Sequence, residues 1–107
     1  MTDIKIILLC AAAMGLRSRV EHNSEVVVVA YRIAKWTEYD TFRNQAQAVD
    51  LVTKLHISSV PYQTLHDAWW WKASIDQHNA ASQDWNRAIC ECVAKAQDSK
   101  IGSLLEK

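Results

Sequence analysis

Three kinds of side chain in this sequence have the chemistry to do more than fold. The first is Cys10, which closes the apolar run Ile4–Cys10 and is followed by Ala-Ala-Ala-Met-Gly-Leu-Arg. A cysteine at the end of a strand, facing the start of a helix, meets backbone N–H groups that stabilise a thiolate and bind phosphate. Arg17 stands seven residues on, one residue beyond the Cys-x5-Arg spacing that cradles a phosphate in cysteine-dependent phosphatases. In this reading Cys10 is a nucleophile and Arg17 its anion-binding partner. The second kind is the triplet Trp69-Trp70-Trp71. Three consecutive indoles cannot all face one core, so at least one is left to meet solvent or a partner, and tryptophan is enriched where binding energy concentrates. The third is the set of four histidines and the Cys90-x-Cys92 pair. None has ligand spacing. His66 and His78 stand three turns apart on a helix, and Cys-x-Cys is not the Cys-x2-Cys of zinc or redox sites. No metal site and no cofactor is expected.

The stretch Lys5–Cys10 with Ala12, Met14 and Gly15 resembles the active loop of the cysteine-phosphorylated IIB components of sugar phosphotransferase systems. That resemblance implies a phosphoryl carrier using Cys10. Where that family's loop has small hydroxyl and glycine residues, this chain has Ala13, Leu16 and Arg17. A second resemblance, carried by Val26–Ile33, Trp69 and His78-Asn79-Ala80, is to the dimeric α+β barrel monooxygenase-like proteins. It implies a ferredoxin-like fold and a small-molecule pocket, here lined by Trp69, Trp71 and Trp85. Motifs for nucleotide, serine-hydrolase or zinc-protease chemistry are missing from the sequence.

The elements that must position these residues follow from pattern. Ile4–Cys10 and Val26–Tyr31 are short apolar runs without alternation, the second nearly all valine, and both fit buried strands. Ala11–Asn23 between them has room for a helix, which predicts an opening βαβ unit. Asn23-Ser24 marks its stop. Thr37 is the expected cap of a helix reaching His56, with Phe42, Ala46, Val49 and Val52 on its buried face and Ala48, Leu51 and Leu55 widening it. Ile57–Tyr62 reads as an edge strand or loop because of Pro61. Leu65–Ile75 fits a helix by the spacing of Leu65, Ala68, Trp69 and Lys72, although Trp69 and Trp71 would share one face of a strand. The last helix, from Ser82 to Gln97, is the clearest, with Trp85, Ala88, Ile89, Cys92, Val93 and Ala96 in register and Gly102 as the stop beyond it. Cys92 then faces the core and Cys90 points away.

The chain of 107 residues is half hydrophobic, with twelve basic and twelve acidic residues interspersed. That is one globular domain, residues 1–107, of class α/β: a small sheet opened by a βαβ unit with flanking helices, or alternatively an α+β ferredoxin-like arrangement. Neutral charge without a basic stripe argues against nucleic acid. The first apolar run is too short to cross a bilayer and follows Asp3 where a signal would place basic residues. An odd number of cysteines fits reduced thiols in a reducing compartment. A soluble, cytoplasmic protein without a membrane role is expected. With fold signals legible and site chemistry sparse, the leading expectation is a non-enzymatic interaction or scaffold domain, its partner a second copy or another protein, contacted through Trp69, Trp70 and Trp71. A natural backbone whose site was erased by redesign would give the same profile. The phosphoryl carrier and the small-molecule binder stand as alternatives.

Overall fold

The N-terminal apolar run is a helix. In the computed structural model, which describes residues 2–21, 26–32 and 35–105, α1 spans Asp3–Ala13. Thr2 caps it by accepting the Lys5 N–H at 3.2 Å, with Asp3 in the first turn where the helix dipole favours a carboxylate. Gly15 ends it. Its φ of +72° lets the Leu16 N–H reach back to the Ala11 carbonyl and its own N–H to that of Ala12. Those two bonds form a Schellman motif, which an L side chain at Gly15 would strain. The expected βαβ unit is therefore corrected. A continuous apolar run of this length fits a buried helix as well as a buried strand, and Ala11-Ala12-Ala13 extends it as helix.

After Gly15 comes β1 (Arg17–Glu21), then β2 (Val26–Arg32) and β3 (Lys35–Glu38), an antiparallel meander with β2 in the middle. The valine run is a strand, as its β-branched composition predicts. Asn23-Ser24 lies outside the described residues. Thr37 sits in β3, not at a helix cap. The helix that was expected there starts later: α2 spans Gln45–Leu55 and is capped by Asn44, which accepts the Gln47 N–H at 3.2 Å. Its buried face is Gln47, Ala48 and Leu51, with Val52 and Leu55 packed at the margin, while Val49 is exposed. His56 closes α2 in the left-handed conformation, φ 55°.

A second antiparallel meander follows: β4 (Ser58–Gln63), β5 (Trp69–Ile75) and β6 (His78–Ser82), with β5 central. Leu65–Ile75, expected as a helix, is thus a turn and a strand, and Ile57–Tyr62 does contain an edge strand. The final helix α3 runs Trp85–Leu105. Its cap is Asp84 rather than Ser82. The Asp84 carboxylate accepts the Asn86 N–H at 3.1 Å and its carbonyl the Ala88 N–H, while Ser82 accepts the Asp84 N–H. Gly102 lies inside α3 and does not end it.

The element order repeats after α1: three-stranded meander, helix, three-stranded meander, helix. The class is mixed α and β, as expected from the sequence, with every described strand pairing antiparallel. α1 packs on α3 and on β1 and β2, and α3 packs in turn on β5, β6 and α2. One apolar cluster joins them, with Val29, Tyr39, Leu51, Ile89 and Val93 among its largest fully buried members. Each buried aliphatic side chain contributes about 2 kcal/mol. Because α3 is covered on two sides, both Cys90 and Cys92 are buried, which corrects the expectation that Cys90 points away.

The outward face of the first sheet is covered by its own side chains. Arg19 stands opposite Val28, and Trp36 opposite Ala30, on the two strands flanking β2. The Arg19 guanidinium lies 4.2 Å from the Trp36 ring centroid and pairs with Glu21 at 3.1 Å. This stack across the middle strand accounts for the burial of Val28 on a face without helix cover.

Candidate functional site

Cys10 lies in the second half of α1, not at the end of a strand, and is wholly buried. Its thiol donates to the Cys90 carbonyl of α3 at 3.6 Å. The thiol is held far above the usual cysteine range, first by hydrogen bonding with Cys90, then by burial and by the charge Cys90 would add, with the Thr41 hydroxyl acting the other way. A helix places carbonyls, not N–H groups, toward its C-terminal end, so the backbone around Cys10 offers an anion nothing. Arg17 is exposed on β1 and makes no ion pair among the described residues. The strand-end setting expected for Cys10 is corrected on both counts, element and exposure. Cys92 is also shifted upward, by burial before anything else, and donates to the His78 carbonyl at 3.5 Å.

The described histidines are turn and strand residues, and His22 lies outside the described residues. His56 ends a helix, His66 sits in an exposed turn, and His78 opens β6. Among the described residues no three His, Cys, Asp or Glu side chains gather as metal ligands. No described helix is long and apolar enough to cross a membrane.

The tryptophan triplet occupies the first three positions of β5. Alternation sends Trp69, Trp71, Ala73 and Ile75 to the α3 side and Trp70 and Lys72 to the other. Trp71, Ala73 and Ile75 join the core, whereas Trp69, at the strand's start, remains 62% exposed. Trp70 is half-buried opposite Tyr62 of β4, and Lys72 stands opposite Val60. Tyr62 is 38% and Val60 55% exposed.

The turn joining β4 to β5 is built firmly. The Thr64 N–H bonds to Ala68 O at 2.8 Å and the Asp67 N–H to Thr64 O at 3.1 Å. The Thr64 hydroxyl accepts the Ala68 N–H at 3.3 Å, and Asp67 takes φ 62°. This is a tight turn followed by a left-handed residue, a common hairpin closure. It lifts Leu65 wholly into solvent, at 101% of its reference exposure. Sequence reading found the three tryptophans but missed Leu65, Tyr62 and Val60, because it read Leu65–Ile75 as a helix rather than as the turn and strand that pair with Ser58–Gln63. The polar run Gln63-Thr64 with His66-Asp67 between two β-rich segments was the available signal.

A second aromatic feature lies on the other side of that sheet. Trp71 and Trp85, the first residue of α3, line an open cleft of about 320 Å³ with Gln45 and Asn86. The Trp85 indole N–H donates to Ser59 Oγ at 3.3 Å, and Asn86 Nδ2 donates to the Phe42 carbonyl at 3.2 Å. Two of the three tryptophans that sequence reading assigned to a pocket are thus together. Trp69 is on the same side of β5 but does not line the cleft.

No protein-family model matches the chain, and no curated protein matches it.

Proposed function

We infer that the chain is an interaction domain whose contact surface is the β4–β5 hairpin, and that its partner is a second copy of itself. The exposed apolar residues of this hairpin carry the reading: Leu65 at the apex, and Val60 and Tyr62 with Trp70 along the outward face, while Trp69 is exposed at the start of β5 on the opposite face. Single exposed apolar residues are ordinary, but several gathered along one hairpin are not. The outward face carries one charged residue, Lys72, whose stem can lie along the apolar surface while its ammonium stays wet. Little desolvation opposes contact there. Twelve basic and twelve acidic residues, interspersed, also mean that two copies meet without net repulsion.

Trp69 and Trp71 lie on the α3 side of β5, so the outward surface is tested at Leu65 and Val60. Sedimentation velocity across a concentration series should show the wild-type chain in monomer–dimer exchange. The double variant Leu65→Ser, Val60→Glu should sediment as a monomer, with stability within about 0.5 kcal/mol of wild type because both side chains are exposed. A wild-type chain that stays monomeric to its solubility limit, or a double variant that still dimerises, removes the reading.

A further inference from the structure

The geometry points to the cleft between Trp71 and Trp85 as a binding site for a neutral sugar ring. Four residues line it, two indoles and two carboxamides, and none is charged. That composition excludes the phosphates and carboxylates a basic pocket would select, and suits a ligand that is apolar on its faces and hydroxylated at its rim. A pyranose has this form. Its C–H faces lie against an indole, while its hydroxyls need a donor and an acceptor close together, which a carboxamide supplies in one group.

The hydrogen bonds already made leave that capacity free. The Trp85 N–H is committed to Ser59, so the ring is held in place and offers its carbon surface. Asn86 spends an N–H on the Phe42 carbonyl and keeps Oδ1 as an acceptor. The Gln45 side chain makes no hydrogen bond among the described residues and is exposed on the first turn of α2. The volume of about 320 Å³ is at the small end of ligand sites, which fits one ring and not an extended chain. The open shape leaves one side of such a ring in water, where its outer hydroxyls remain solvated.

The cleft is on the α3 side of β5 and the hairpin apex is outside it, so this inference does not depend on the self-association reading. The test uses the full chain labelled with nitrogen-15. The five indole N–H signals are followed during titration with the methyl glycosides of glucose, galactose and mannose, and separately with adenosine. Trp85→Phe and Trp71→Phe assign the two signals of interest. At least one glycoside should move both signals saturably and leave that of Trp69 in place. Gln45→Ala, an exposed change that leaves the fold intact, should weaken that glycoside about fivefold. Absence of saturable shifts with every glycoside overturns the proposal, as does an unchanged affinity in Gln45→Ala. A response to adenosine alone also overturns it, because the site would then select a flat aromatic base.

Discussion

Because Cys10 is wholly buried, its thiol should react only when the protein opens. The perturbation is a neutral alkylating reagent, iodoacetamide, applied to the native chain near neutral pH. Cys10 is fully covered, sits inside α1 and bonds to the opposite helix. Reaction then requires loss of the α1–α3 contact, which here means most of the global unfolding free energy. A domain of 107 residues at the low end of ordinary stability has about 5 kcal/mol to lose. At 1.4 kcal/mol per decade, the native thiol should therefore react about 4,000-fold more slowly than in guanidinium. Peptide mass spectrometry locates the label, and its appearance over time gives the rate for each cysteine. A native rate within tenfold of the denatured one would refute the argument. So would labelling that stays fast below neutral pH and is slowed by phosphate, since that is the behaviour of a thiolate in an anion site. The phosphoryl-carrier reading needs that second result.

Two other outcomes follow from the same packing. Gln47 is buried, accepting the Asp40 N–H at 2.8 Å and donating to the Glu38 carbonyl at 3.0 Å. Gln47→Ala strands both groups, so stability should fall by about 2 kcal/mol and Tm by about 10 °C. A calorimetric drop no larger than that of the exposed control Gln45→Ala would show that the two bonds contribute nothing. The upward shift of Cys10 makes stability sensitive to alkali. The native state keeps the Cys10 proton while the unfolded state releases it above about pH 8.5, so unfolding free energy should decline by about 1.4 kcal/mol per pH unit from there. The contribution is complete below that pH and is lost above it. Urea melts between pH 7 and 10 measure the slope, and Cys10→Ala should reduce it by about that amount, leaving the part that the raised Cys92 contributes. An equal slope in that variant would assign the effect to other groups.

What could be read in the sequence depended on how many sides of an element are covered. The valine run and the Ala88–Ala96 stretch were legible because β-branching and helical spacing are each specific. The Ile4–Cys10 run was not. α1 lies between a sheet and a helix, so its covered faces leave only a narrow polar strip and its pattern loses its period. Gly15 carried the correct stop signal, but it fell inside the helix expected over Ala11–Asn23. β5 failed for the opposite reason. Trp69 faces the core side without being covered, so exposure and alternation disagree at the strand's first residue. As for the sites, the triplet was seen and its hairpin was not. Gln45 and Asn86 come beside Trp71 only through the starts of two helices, a juxtaposition that no linear spacing records.

Pro61 decides which way the second sheet can grow. The Thr64 N–H points inward to Ala68, so by alternation the Pro61 nitrogen points away from β5, on the free side of β4. An incoming strand aligned there would find donors at Ser59 and Gln63 with none between them. The missing hydrogen bond falls in the middle of a six-residue strand, where a new ladder would have to start. An apolar hairpin beside an open edge is ordinarily a template for fibrils. This one is blunted by a single ring, which works against endless lateral addition at that edge.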